Sequence, residues 1–224
     1  MKVSLSTNPA FRWNIKTHIA MTEKAVSDNN ILSKTEKRML GRFSQMPDLD
    51  AREVVDFVSP HFYDVLHLDP SFGTKNDARN NAMSRFITYA NKAKKETVRE
   101  DFLRKAGYAV HYLQDASAPP HTEHGNYLHK LYRVPMHKWF EKGKYIGATS
   151  RLDILEKNYV PEEIPFSDLK LLFHNTALYT VQPENHVRYY NIKKWPEIQQ
   201  RCFNKGVNAS KAFLDYILQF LPKK

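Results

Sequence analysis

The chain contains two stretches in which histidines and carboxylates recur at helical spacing, His111-Tyr-Leu-Gln-Asp115-Ala-Ser-Ala-Pro-Pro-His121 and His137-Lys-Trp-Phe-Glu141. His111 and Asp115 are four residues apart, as are His137 and Glu141, so in a helix each pair lies on one face. The Pro-Pro step before His121 predicts the end of the first helix, because a proline ring denies the helix an N–H. His121 is therefore expected just past a helix end, free to turn back.

These five side chains have the composition of a metal site. Three imidazoles and two carboxylates are the mixture that zinc takes in tetrahedral or open five-coordinate sites. A single histidine of this kind is more commonly a hydrogen-bonded core or surface residue. Two His/carboxylate pairs at helical spacing, on either side of the Pro-Pro step, make metal ligands the better interpretation. The pattern therefore predicts metal binding.

The composition is that of an ordinary globular protein. The chain has 224 residues, of which 42% are hydrophobic and 26% charged, with only 7 glycines. No stretch approaches the run of about 18 apolar residues that a membrane span requires. The single cysteine, Cys202, excludes an internal disulfide and leaves the compartment open.

The chain is strongly basic, with a formal net charge of +10 at pH 7. This balance predicts an anionic partner, which can be a phosphate ester, a nucleic acid or an acidic membrane surface. A solvated basic face is the alternative.

Apolar periodicity predicts helices along most of the chain, and strand alternation is nearly absent. The predicted helices run from Trp13 to about Asn29, from Lys34 to Phe43, over about 75–116 as two helices meeting near 94–99, from a cap at Ser167 to Val181, and from Pro196 to Leu221. Residues 122–136 are predicted to form a loop and 143–165 to be the least regular part. The predicted fold is an all-α, single-domain bundle of several helices.

Three further candidate ligands lie earlier in the chain, on a predicted helix or beside predicted turns. They are His18 on the first predicted helix, Asp48 in a Pro-Asp-Leu-Asp turn and His61 before Phe-Tyr-Asp. Each is weak alone, since Asp48 can cap a turn and His61 can be a loop histidine. Their order along the chain, together with the two later stretches, is more informative than any one of them.

In that order the motifs resemble a known family. His-Phe-Tyr-Asp, then His-Tyr-Leu-x-Asp with Pro-x-His, then His-x3-Glu resembles the zinc-dependent bacterial phospholipases C, whose relatives include the S1/P1 single-strand nucleases. The resemblance covers about Trp13 to Glu141 and implies an all-α bundle with an interior multinuclear zinc site. The C-terminal β-sandwich of some toxin members is not expected to fit in the remaining length.

The resemblance also implies a set of ligands for two or three zinc ions per chain. One ion would be held by Asp48, His61, His111 and Asp115. A second would be held by His121, His137 and Glu141, and a third by His18, a bridging Asp115 and the backbone nitrogen and oxygen of Trp13. Asp48 is the candidate general base, with simple ligation as the alternative.

The first residues depart from the family pattern. In the family the ligating tryptophan is the first residue of the mature protein, whereas here Trp13 follows twelve residues. Residues 1–12 lack the apolar core and cleavage pattern of a signal peptide and are interpreted as a leader or extension before a helical domain at 13–224. Either the leader is removed after Arg12, or the third zinc ion is bound more weakly, or the protein is active with two zinc ions.

The implied activity is hydrolysis of a phosphodiester by a zinc-activated water, without a protein nucleophile. A phospholipase C would bind a glycerophospholipid at a membrane surface and release diacylglycerol and a phosphorylated head group. Glu141, the last residue of His-x3-Glu, favours the phospholipase branch, since the nucleases have aspartate at that position. The Trp-x4-His spacing of Trp13 and His18, in contrast, is shared with the nucleases. An S1/P1-type nuclease that binds nucleic acid, and a non-catalytic helical protein that binds zinc or acidic surfaces, remain the alternatives.

The sequence does not decide which lipid head group is bound or in which compartment the protein acts. Phe57, Phe62 and Tyr63 can provide aromatic faces for a choline cation, or they are core aromatics beside the metal site. Family members are mostly exported, which favours an extracellular location, whereas the missing signal peptide leaves a cytoplasmic one open. A monomer is expected.

Overall fold

The computed structural model describes residues 13, 15–49, 63, 82–122, 151–185 and 194–223. Within these ranges all regular structure is helical, which agrees with the predicted all-α class. The helices are α1 (Ile15–Ala25), α2 (Lys34–Ser44), α3 (Ala82–Ala93), α4 (Arg99–Asp115), α5 (Pro119–Thr122), α6 (Arg151–Lys157), α7 (Leu169–Thr180) and α8 (Trp195–Ile217), with 3-10 turns at Met46–Asp48, Pro183–Asn185 and Leu218–Phe220. In the described part of the chain, no helix combines the length and apolar character needed to cross a membrane.

Helix α4 is the central element, because it contacts α1, α2, α3 and α8. Every residue from Ala106 to Asp115 is buried. A helix surrounded on all sides carries its polar residues into the core, where they are destabilising unless they find partners. His111, Gln114 and Asp115 are such residues, and they lie at the end of α4 where the candidate site forms.

Gly107 allows α4 to lie directly against α2. A Cβ built on Gly107 would be 2.5 Å from the Cβ of Phe43 and 2.9 Å from the Phe43 carbonyl carbon. The absence of a side chain at this position therefore permits the close approach of the two helices. The contact brings the C-terminal end of α2 beside His111, one turn further along α4.

The N-terminus of α2 is fixed by a capping box. The Ser33 side chain accepts from the Glu36 N–H, and Glu36 accepts from the Ser33 N–H. Arg99, the first residue of α4, donates to Glu36 and also to the carbonyl of Pro222, at 2.7 Å. These bonds join the beginnings of two helices to the C-terminal residues.

Aromatic side chains form much of the core. The ring centroid of Phe86 on α3 lies 5.5 Å from that of Phe173 on α7 and 5.0 Å from that of Phe213 on α8. All three are fully buried. Cys202 on α8 is a free, buried thiol.

The predicted helix boundaries are correct within a few residues, with two instructive differences. Helix α1 ends at Ala25 rather than near Asn29, because the Asn29 side chain accepts from the backbone N–H groups of Ile31 and Leu32 and so forms a turn. The N-cap of α7 is Asp168 rather than Ser167, since the Asp168 carboxylate accepts from the Leu171 N–H at 2.9 Å.

Two segments differ more from the prediction. Residues 151–157, within the stretch predicted to be irregular, form α6, and its Leu155 is buried in the core. Helix α4 ends at Asp115, before the Pro-Pro step and within one residue of the predicted end. His121, predicted just past a helix end, instead lies in the short helix α5, which begins at Pro119, where a missing N–H is tolerated. The join between α3 and α4 lies at 94–98, as predicted. The predicted loop at 122–136 lies almost entirely outside the described residues.

Candidate metal centre

Asp115, the last residue of α4, lies at the centre of a buried group of histidines. Its Oδ2 is 3.2 Å from the Nε2 of His111, one turn earlier on the same helix. Its Oδ1 is 3.6 Å from the Nε2 of His18 on α1 and 3.9 Å from the Nε2 of His121 on α5. The i,i+4 pair therefore lies on one face as predicted, and the two carboxylate oxygens face different histidines.

Asp48 joins this group from the 3-10 turn after α2. Its Oδ1 is 3.4 Å from the His111 Nε2, and its side chain is 4% exposed. Candidate ligand atoms of His18, Asp48 and His111 all lie within 4.8 Å of one another, and the two imidazole centroids are 4.3 Å apart. His18, which the resemblance assigns to a separate ion, thus lies beside His111 and Asp48.

Hydrogen bonds outside the group orient both imidazoles. His111 Nδ1 donates to the backbone carbonyl of Ser44 at 2.9 Å. Since a carbonyl oxygen only accepts, His111 Nδ1 carries a proton, and Nε2 of His111 is the nitrogen that faces Asp48 and Asp115. His18 Nδ1 lies 2.7 Å from Gln114 Oε1. Partners of this kind hold metal-binding histidines in known sites.

The arrangement suits a cation between the histidines and the carboxylates. The Nε2 atom of His18 is buried and, among the described residues, has no hydrogen-bond partner. Burial, and then the neighbouring His111, lower the pKa of His18 to about 4, which favours the neutral imidazole that binds metals.

The spacing of these atoms suits zinc. Tetrahedral bonds of about 2.0–2.1 Å place neighbouring ligand atoms about 3.3 Å apart. The contacts of Asp115 and Asp48 with the histidines span 3.2–3.9 Å. Imidazole nitrogens with carboxylate oxygens are also the donor types that zinc takes, so the residues present fit this ion.

Trp13 packs against the same end of α4. Its indole Nε1 donates to the carbonyl of Gln114 at 3.1 Å and to Ser117 Oγ at 3.2 Å, and the residue is 1% exposed. The side chain thereby holds the start of the described chain near Asp115. Ligation through the backbone nitrogen and oxygen of Trp13 stays a prediction.

Three predicted ligands, His61, His137 and Glu141, lie outside the described residues, as do Phe57 and Phe62. Tyr63, two residues after His61, donates its backbone N–H to the carbonyl of His121 at 2.9 Å. The Tyr63 ring packs edge-on against Phe173, and its hydroxyl lies 3.1 Å from His174 Nδ1. For Tyr63 the structure supports the interpretation as a core aromatic.

Sequence reasoning missed the residues that orient the histidines. Gln114 occupies the variable position of His-Tyr-Leu-x-Asp, and Thr22 and Ser44 lie outside every motif. The available signals were weak: Thr22 is four residues after His18, and Gln114 is a polar residue next to Asp115 in the mostly apolar second half of its helix.

The fold and the cluster define an all-α protein with a buried set of histidines and carboxylates suited to a metal ion. A solved structure with a similar fold is the alpha-toxin of Clostridium perfringens from avian strain SWCP, with 19% identity and a TM-score of 0.54. The match covers 92% of this chain and 62% of the toxin chain, so this chain spans less than two thirds of the toxin's length. At this identity the likeness shows the fold alone. No family model and no curated protein sequence matches the chain.

Proposed function

We propose that this protein is a zinc-dependent phosphodiester hydrolase, and specifically a phospholipase C that cleaves a glycerophospholipid at a membrane surface. The observation that carries the proposal is the buried cluster in which His18 and His111 direct Nε2 toward the carboxylates of Asp48 and Asp115. The fold shared with a toxin adds support, since toxins are among the members of the family that the sequence resembles.

The proposed ligands include the observed cluster and further residues outside it. His18, Asp48, His111, Asp115 and His121 lie close enough to share metal ions. The proposed set is completed by His61, His137, Glu141 and the backbone of Trp13. Asp115, whose two oxygens face different histidines, would hold zinc together with these residues, and about two or three zinc ions per chain are expected.

When bound, zinc supplies electrostatic stabilisation of the phosphoryl oxygens and lowers the pKa of a water molecule toward neutrality. Asp48 is the proposed general base that accepts a proton from the attacking water at its carboxylate. The other carboxylate and the histidines hold the site together and exclude bulk water, since His18, His111 and Asp115 are fully buried. In the alternative, Asp48 is a ligand only.

Two features support a phospholipid as substrate. The net charge of +10 favours an anionic membrane surface, where the products would be diacylglycerol and a phosphorylated head group. Glu141 at the end of His-x3-Glu favours the lipase branch. The Trp13-x4-His18 spacing, which the nucleases share, keeps a single-strand nuclease as the second candidate.

The test compares zinc content and hydrolysis in the wild type and in Asp115→Ala. We expect about two or three zinc ions per wild-type chain, turnover of phosphatidylcholine vesicles, and loss of both in the variant. The matched control is Asp101→Ala, which removes an exposed aspartate of the same helix that pairs with Arg104 at 3.0 Å, and it should behave as the wild type.

Each contrary outcome has a distinct meaning. Hydrolysis of single-stranded DNA with no hydrolysis of phosphatidylcholine would replace the phospholipase by the nuclease. Zinc binding with turnover of neither substrate would support the non-catalytic alternative. A wild-type chain that takes up no zinc, or an Asp115→Ala chain with full turnover, would overturn the proposed function.

A further inference from the structure

A closed ring of buried hydrogen bonds leads from His18 back to His18. The Thr22 hydroxyl donates to the backbone carbonyl of His18 at 2.9 Å. The Gln114 amide nitrogen donates to Thr22 Oγ1 at 2.9 Å, and Gln114 Oε1 lies 2.7 Å from His18 Nδ1. All three residues are fully buried, so water does not compete for these groups.

The direction of the ring is determined by the backbone carbonyl of His18, which can only accept and whose atom assignment is not ambiguous. The Thr22 hydroxyl must donate to that carbonyl, so its oxygen accepts from Gln114. The amide nitrogen of Gln114 must therefore face Thr22, and Ser210 Oγ lies 3.3 Å from the same nitrogen as a second acceptor. This leaves Gln114 Oε1 facing His18, where it can only accept.

We propose that Gln114 is a positioning residue, which holds His18 as the Nδ1–H tautomer and so presents the Nε2 lone pair of His18 to a zinc ion. The part of this proposal that concerns zinc binding by His18 rests on the proposed function. The tautomer itself follows from the hydrogen bonds alone. Gln114 lies outside the residues that carry the family resemblance.

Gln114 has a competitor for the His18 proton. Asp115 Oδ1 lies 3.6 Å from His18 Nε2, and a carboxylate there favours a proton on Nε2. In that tautomer the proton covers the lone pair that binds metal. The Gln114 amide opposes this by offering an acceptor at Nδ1 at a shorter distance, and its own orientation is held from two further helices by Thr22 on α1 and Ser210 on α8.

The first test reads the tautomer directly. We expect 15N NMR of the metal-free, full-length protein at pH 8 to show His18 with a protonated Nδ1 and an unprotonated Nε2, with the signals assigned by their loss in His18→Gln. In Gln114→Met, which keeps the volume and removes the amide, the proton should move toward Nε2. A structural role alone would leave the tautomer as it is.

The second test measures zinc affinity by competition with a chromophoric chelator. Loss of an outer hydrogen-bond partner of a ligating histidine typically weakens metal affinity by about 10- to 100-fold, and we expect this range for Gln114→Met. Thr22→Val breaks the ring at its other member and should shift both readouts in the same direction, which keeps the test decisive where Gln114→Met does not fold.

Thr176→Val is the matched control. Thr176 is also buried, and its hydroxyl donates to the carbonyl four residues earlier, as that of Thr22 does, but on α7 and away from Gln114. Both readouts should equal those of the wild type.

The outcomes separate this proposal from the proposed function. A wild-type His18 with the proton on Nε2, or unchanged tautomer and zinc affinity in both ring variants, would overturn the role of Gln114. The expected tautomers in a protein that takes up no zinc would uphold the positioning of His18 and refute its use as a zinc ligand.

Discussion

Single residues outside the cluster decide which way its histidines face. Ser44 does this for His111 with a backbone carbonyl, and Gln114 does it for His18 with a side-chain oxygen. The two acceptors differ in how they respond to mutation, because a carbonyl survives any substitution at Ser44 whereas the Gln114 oxygen does not. His18 is therefore the more vulnerable of the two candidate ligands.

Glu36 offers a residue-scale prediction that is independent of any metal. Its hydrogen bond from Arg99 is the main cause that lowers its pKa from 4.5 to about 2. A depressed carboxyl pKa in the folded state stabilises the protein above the unfolded pKa, and this contribution is lost as pH falls from about 4.5 toward 2. Glu36→Gln should thus lower the free energy of unfolding at pH 6 by on the order of 1 kcal/mol, with a smaller difference at pH 3.

Urea denaturation of both proteins between pH 6 and pH 3 measures this effect. Glu100→Gln serves as the control, since it removes only an exposed pair with Arg104 and should differ from the wild type by a few tenths of a kcal/mol at most. A Glu36→Gln penalty that stays constant over this pH range would contradict the assignment.

At the scale of helices, the contact between α2 and α4 supports the candidate metal centre. Gly107 sets the distance between the two helices, and the His111 to Ser44 hydrogen bond spans the same interface one turn later. Packing and site geometry are thereby coupled, because any shift of α2 moves the carbonyl that orients His111.

Gly107→Ala tests this coupling. The added methyl would meet the Phe43 backbone at 2.9 Å, which a rigid helix cannot avoid without moving. We expect the free energy of unfolding to fall by about 1–3 kcal/mol and zinc affinity to weaken with it. Chemical denaturation followed by circular dichroism and zinc competition measure the two effects.

Gly41→Ala is the matched control on α2. There the nearest atom to a new Cβ is Glu23 Cγ at 3.0 Å, part of a flexible side chain that can move. Stability should be unchanged or rise by up to about 1 kcal/mol, because alanine favours a helix over glycine. A Gly107→Ala protein as stable as Gly41→Ala would show that the helices do not depend on this close approach.

At the scale of the whole molecule, Trp13 lies beside the candidate metal centre. The indole of Trp13 is hydrogen-bonded to the C-terminal end of α4, and Asp115 is the last residue of that helix. A free amine at Trp13 would therefore become available in the neighbourhood of the candidate ligands, and we propose that residues 1–12 act as a removable leader.

Removal of residues 1–12 should raise both zinc content and activity, because a free amine binds zinc whereas an amide nitrogen does not. The experiment compares the full chain with one that begins at Trp13, by elemental analysis and phosphatidylcholine hydrolysis. A chain that begins at Arg12 is the control, since it lacks most of the leader and keeps the Trp13 nitrogen as an amide. Equal zinc content in all three chains would rule out the leader hypothesis.

Local features of the sequence were sufficient for the helices and for part of the site. Apolar periodicity predicts an element within a few residues where one face of the helix is buried, as for α7 and α8. The convergence of His111 and Asp115 is equally local, since four residues make about one helical turn.

Tertiary structure alone brought His18 and His121 to Asp115, Asp48 to His111, and Ser44 and Gln114 to the histidines. These contacts join α1, the turn after α2, and α5 to the end of α4, and no periodicity along the chain encodes the distance between separate helices. The sequence by itself therefore determined the helical class and the kinds of ligand. The packing of the helices decided which nitrogen of each histidine faces the carboxylates, because a hydrogen-bond direction depends on the partner that folding brings into reach.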